Sequence, residues 1–146
     1  MTLEELRTSV EKDMVIDKTS LDSESLKIPQ LHNKYLNHFH DARFVIKKLK
    51  QDYKILETRK WEYYSGRMSE EELRTFGWTQ FPHRVLKGDI ERYLSSDADL
   101  VTIQNRITLH EEKILYLEEV LKMIANRGWQ IRNAIDWIRF THGVNS

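Results

Sequence analysis

From Pro29 to Tyr64 the chain contains no glycine and no further proline, and one set of residues recurs in steps of four and three: Tyr35, Phe39, Ala42, Ile46, Leu49, Tyr53, Leu56, Lys60, Tyr63. Alternating steps of that kind keep one stripe of an α-helix facing a partner helix. A second seam begins near Asp97 and runs Leu100, Ile103, Ile107, His110, Ile114, Leu117, Leu121, Ile124, Gly128, Ile131, Ile135, Ile138. At 1.5 Å per residue the two helices, 29–64 and 97–140, would span about 54 Å and about 66 Å. Two seams of that length have to pair with each other, with other subunits, or with both. The expected fold is therefore all-α, an elongated subunit of two long helices plus short ones.

Local signals set the ends. Thr2 and Glu5 form a capping box that opens a short helix fading near Met14. "DKTSLDSES" reads as a polar, turn-rich connection, and Pro29 suits a first helical turn, where its missing N–H has no intrahelical partner. Gly66 is placed to close the first long helix in a left-handed cap. Ser69 with Glu72 opens a short helix closed by Gly77, and the connector 68–96 has room for one more short helix. Gly128 falls on the second seam, where a missing side chain lets another backbone approach or the helix bend. The whole chain, 1–146, is expected to be one helical domain.

Charge is segregated along the chain although the formal net charge is zero. Residues 1–26 sum to −4 and residues 68–121 to −5, whereas residues 43–67 carry eight cations against three acids. Such patches speak to partners and assembly rather than to fold. No apolar run approaches the roughly 20 residues of a membrane-spanning helix. The acidic N-terminus lacks the basic and apolar regions of a signal peptide, and there is no cysteine. Both point to a cytoplasmic chain without disulfides.

Catalytic and metal chemistry find no foothold. His38 and His40 are two apart and point in different directions on a helix, and no phosphate loop or nucleophile elbow is present. No catalytic residue, metal ligand or cofactor is expected. His110, on the second seam, reads as a hydrogen-bonded core histidine or register device.

The basic stretch ends in "RKWEYYSGR", Arg59 to Arg67. Cations near a helix C-terminus are favoured by the macrodipole, so a solvated basic face is one reading, with Lys60 pairing with Asp97 or Asp99 in an antiparallel hairpin. The other starts from Lys60 at a seam position, which implies that the seam opens to solvent there. Arg59 with Tyr63, Lys60 with Tyr64 and Tyr63 with Arg67 are each four apart, which sets cations beside rings. That combination suits single-stranded nucleic acid. On this reading Tyr63 is more structural and Tyr64 the platform for a base. At the other end of the chain, Trp129, Ile131, Ile135, Trp137, Ile138 and Phe140 are apolar on more than one stripe, as at a subunit interface.

Three segments, "KWEYYSGR", "SLKIPQLHNKYL" and "MIANRGWQIRNAIDWIRF", resemble the UvsY-type recombination mediator proteins of T-even-like phages, and the likeness covers nearly the whole chain. The resemblance implies a non-enzymatic protein that binds single-stranded DNA as a cyclic homo-oligomer, a hexamer or heptamer. It would promote loading of a RecA-like recombinase, UvsX, onto strands covered by the phage single-strand-binding protein, in the host cell cytoplasm. Lys60 and Arg67 match basic positions of the family motif, and Tyr63 and Tyr64 its aromatic pair. With Lys54 and Arg59 of the basic stretch they are the expected DNA contacts. A family lysine two positions before Lys60 is replaced here by Thr58, and Arg59 beside it points about 100° away. The C-terminal match assigns Trp129, Ile131, Ile135, Trp137 and Ile138 to subunit association. A coiled-coil assembly adaptor is the alternative function.

Overall fold

The computed structural model describes residues 1–143, and every regular element among them is helical. The order is α1 (Leu3–Asp13), α2 (Leu21–Leu26), α3 (Ile28–Tyr64), α4 (Glu70–Phe76), a 3-10 turn (Lys87–Asp89), α5 (Ile90–Ser95) and α6 (Ala98–Thr141). The expected long helices are present to within a residue at each end. Thr2 and Glu5 make both reciprocal bonds of the capping box, each at 3.1 Å. Pro29 lies in the first turn of α3. At its far end Gly66 adopts φ +76°, its N–H donating to the Tyr63 carbonyl while that of Arg67 donates to Glu62, so the last carbonyls are satisfied. Gly77 closes α4 in the same way, and Ser69 caps its start.

The connection after α1 departs from expectation. It contains α2, six residues whose buried side chain is Glu24 while Leu26 is 80% exposed. A helix that short, with Leu26 outside and Glu24 inside, carries no helical hydrophobic period.

The described residues form two compact units. One comprises Met1–Arg43 with the chain from Glu112 onward, and the other Phe44–Glu111. In the first, Leu6 and Val10 of α1 pack with Tyr35 of α3 and with Leu117, Val120 and Ile124 of α6. Tyr35 is wholly buried, and its phenol donates to the Asp13 carboxylate at 2.7 Å. Burial, with the Asp13 charge beside it, pushes this phenol up to about 12. Arg127 is the fastening that the sequence did not disclose. It is 2% exposed, and its guanidinium donates to the carbonyls of Asp13 (3.1 Å) and Val15 (3.2 Å) and to the Glu24 carboxylate (2.7 Å). One side chain of α6 thus holds the end of α1, the connection and α2. Glu24 is drawn below the usual carboxylate range by its hydrogen bonds to Lys27 and Arg127.

Gly128, next along α6, also differs from expectation. A Cβ built there meets only Ile28 Cδ1, at an ordinary 3.8 Å, so no neighbouring backbone depends on its absence. Farther along, Trp129, Trp137 and Phe140 are 64%, 64% and 73% exposed, and Ile138 is 42% exposed. Ile135 is half-buried, and Ile131 is 2% exposed and belongs to the interior of its own subunit, not to the outer stripe it was grouped with.

These two neighbours predict opposite outcomes. Arg127→Ala leaves the buried Glu24 with only the exposed Lys27 as its cation and the Asp13 and Val15 carbonyls without their donor, and should cost about 3 kcal/mol. Gly128→Ala should stabilise by up to about 1 kcal/mol, because a methyl fits and helix propensity rises. Urea denaturation of both variants checks the pair, and a destabilising Gly128→Ala would contradict the packing described.

Candidate nucleic-acid interface

The second unit has Ile90, Leu94 and Leu100 at its centre, with Tyr53, Leu56, Trp61, Tyr64 and Val85 packed around them. The last two turns of α3 therefore run into a packed end of the unit. Lys60 is 6% exposed, so the seam does not open to solvent there. Its ammonium lies 3.2 Å from Asp97 Oδ2 and 2.8 Å from Asp99 Oδ2, at the start of α6. The Trp78 ring covers it, with Nζ 4.2 Å from the centroid. Of the two readings of Lys60, pairing with Asp97 and Asp99 is the one the structure takes.

Asp97 is saturated. It accepts from the Tyr64 phenol at 2.6 Å and from the backbone N–H groups of Asp99 (3.0 Å) and Leu100 (3.1 Å), capping α6 while it binds Lys60. Burial alone would raise its carboxyl, but the bond from Tyr64, the Leu100 amide and the Lys60 ammonium outweigh it and leave the carboxyl lowered. Burial likewise pulls Lys60 down, and its bonds to Asp99 and Asp97 reverse the sign and leave it raised. The Tyr64 phenol is pushed well up, first by burial and then by Asp97.

The two tyrosines are both half-buried and both engaged. Tyr63 donates to the Thr79 carbonyl at 2.7 Å, and its ring meets Trp78 (centroids 5.4 Å). Tyr64 stacks on Tyr93 (5.7 Å) and receives Phe81 edge-on (5.0 Å). Tyr64 is thus as much a packing residue as Tyr63, which corrects the division expected between them.

The cations beside them meet other rings than the i,i+4 spacing foretold. Arg59 lies over Phe76 of α4 (4.9 Å), which itself stacks on Trp78, and Arg67 lies over Trp61 (4.7 Å). Lys54, Arg59 and Arg67 are exposed. Thr58 turns its hydroxyl back to the Lys54 carbonyl at 3.1 Å. The partners that sequence reasoning missed, Phe76, Trp78, Phe81 and Tyr93, were signalled only by aromatic density in "FGWTQFPHR" and its surroundings. No three His, Cys, Asp or Glu side chains group as metal ligands among the described residues, and no described helix is long and apolar enough to cross a membrane.

The site is thus a ring-rich helix end with a buried cation, Lys60, beneath it and two exposed ones, Arg59 and Arg67, over its rings, while Lys54 is exposed farther back along α3. The family described as "Recombination, repair and ssDNA binding protein UvsY" matches residues 9–144. The chain belongs to the UvsY family. It is 25% identical over 143 residues to the recombination protein uvsY of Enterobacteria phage T4, which covers 98% of this chain and 99% of that protein. Crystal structures of the bacteriophage T4 recombination mediator protein UvsY match it in fold. Lattice type IV gives a TM-score of 0.83 at 24% identity, covering 96% of this chain and 99% of that one. Lattice type II gives 0.82 at 25% identity, covering 97% and 98%. UvsY is a recombination, repair and single-strand-binding family, not an enzyme family.

The Lys60–Asp97 centre predicts a pH profile. Asp97, lowered on folding from 3.8, contributes stability that is present above 3.8 and lost as pH falls through its folded value. Lys60, raised from 10.5, contributes stability that is present below 10.5 and lost as pH rises through its folded value. The stability gap between the parent and Asp97→Asn should therefore be wide at neutral pH and narrower at a pH well below 3.8. Denaturant melts at the two pH values check this, and an equal gap at both would contradict it.

Proposed function

We propose that this protein is a recombination mediator that binds single-stranded DNA as a homo-oligomeric ring. In that state it promotes loading of a UvsX-like, RecA-type recombinase onto strands covered by the phage single-strand-binding protein, in the host cell cytoplasm. The observation that carries the reading is the family match over residues 9–144 on a chain whose exposed cations Arg59 and Arg67 lie over rings at one helix end, with Lys54 exposed farther back along the same helix. These three side chains are the phosphate contacts. Lys60, Tyr63 and Tyr64 build the floor that positions them, with ring surface left over for bases.

Three phosphate contacts hold a strand only weakly at physiological salt. A ring of six or seven copies turns each further contact into an intramolecular one, and avidity follows without any new chemistry. That resolves how a chain of zero net charge grips a polyanion. Each subunit offers to the strand those cations of its basic stretch that its own acids leave exposed, Lys60 being taken by Asp97 and Asp99. Holding the strand in a fixed path loosens the covering protein and frees nucleotides for the recombinase, a task that requires no nucleotide hydrolysis by the mediator. Trp129, Trp137, Ile138 and Phe140, with Ile135 at the edge, supply the subunit contact, since exposed apolar side chains in that number suit an interface core.

Two measurements test the reading. Replacing Lys54, Arg59 and Arg67 by Ala one at a time should weaken binding of homopolymeric single strands and make log K against log salt shallower by about 0.7 for each. Unchanged slopes would remove these side chains from the site. Trp137→Asp with Phe140→Ser should shift the protein to small species in sedimentation with helicity retained, whereas an unchanged large assembly would place the interface elsewhere.

A further inference from the structure

Beside the last turn of α3, within the second unit, lies a cavity of about 520 Å³. Its ring walls come from Tyr63, Tyr64 and Phe81, its polar groups from Gln80, His83 and Arg84, and no carboxylate lines it. The rings are held from outside. The Tyr63 and Tyr64 hydroxyls are committed to the Thr79 carbonyl and to Asp97, and Phe81 meets the stacked Tyr64 and Tyr93 rings edge-on (5.0 and 5.3 Å). What these side chains present to a guest is therefore aromatic surface rather than hydroxyl groups. Arg84 is exposed on the cavity, and no acid in the lining opposes it.

The volume falls within the range of about 300–1,000 Å³ typical of sites for small organic groups. Fixed rings around an open space, with a cation and without an acid, suit a planar group that carries an anion next to it. In a single strand that group is an unstacked base with its phosphate, and splayed bases are held on aromatic side chains in this way. We propose that this cavity receives one unstacked base of the bound strand, with the Arg84 guanidinium on the adjoining phosphate. The proposal rests on the single-strand-binding reading above and deepens it, giving the base contact a place in the cavity and adding a cation from outside the basic stretch of α3. Because rings hold any base by its face, the contact is sequence-tolerant.

The test compares a dT oligonucleotide with a strand of equal length and equal phosphates that carries abasic sites, by fluorescence anisotropy over a salt series. The parent should bind the abasic strand about tenfold more weakly or worse, since one stacked base is worth about 5- to 150-fold. In Gln80→Trp an indole from an exposed position fills the cavity, so the dT-to-abasic ratio should fall toward one with the salt slope unchanged. In Arg84→Ala both strands should weaken, with a slope shallower by about 0.7. Equal binding of the two strands by the parent overturns the proposal without any variant. A ratio in Gln80→Trp equal to that of the parent, or an unchanged slope in Arg84→Ala, also overturns it. In each of these cases salt-dependent binding remains and the broader reading stands. No salt-dependent binding of either strand would instead overturn that broader reading, and this proposal with it.

Discussion

The contact on which the second unit depends is the meeting of buried Lys60 with buried Asp97, joined from the solvent side by Asp99. It joins the end of α3 to the start of α6 at a seam position where an apolar residue would ordinarily sit. Such a pair is a poor source of net stability, because desolvation consumes most of the attraction, but breaking it is costly. Its value lies in specifying register. If α3 slid by one heptad along α6, Lys60 would face apolar seam residues and Asp97 would lose its cation, so that arrangement is closed off. The contact also orders what surrounds it. Asp97 holds the Tyr64 phenol, Lys60 holds the Trp78 ring, and Trp78 stacks with Phe76, on which Arg59 rests. A buried cation thus sets the positions of rings and of exposed cations that would otherwise be free to wander.

The first unit uses the same device with the charges reversed in order. Arg127 on α6 reaches Glu24 on α2 and the carbonyls of Asp13 and Val15, and so fixes a connection that hydrophobic packing holds only at its start, through Met14. In both units a long helix carries its seam by hydrophobic packing and is tied to a neighbouring segment by one buried, paired cation.

Those ions mark the limit of what the sequence could disclose. The two seams, the capping box at Thr2, the glycine ends at Gly66 and Gly77 and the start of α4 at Ser69 were legible, because each follows from a period or a local bond. Lys60 was legible as an anomaly, and its partners Asp97 and Asp99 as one of two solutions. The choice between them depends on whether the partner helix reaches that far, which no local pattern records. Arg127 lies one position off the seam beside Gly128 and is indistinguishable from a surface arginine until α2 is placed against it. The cavity beside Tyr63 is drawn from residues up to 22 positions apart in a stretch with little periodicity, and only its aromatic density showed in advance.

For function, the consequence is a division among neighbouring cations. One is internal and structural, the others face solvent and are available to phosphate, although all belong to the same basic stretch. The direct measurement is Lys60→Met, a change close in volume that removes the charge, followed by both denaturant stability and the salt dependence of single-strand binding. Lower stability with an unchanged slope of log K against log salt is the result this account predicts. A slope shallower by about 0.7 with stability intact would show Lys60 to be a phosphate contact, and would contradict it.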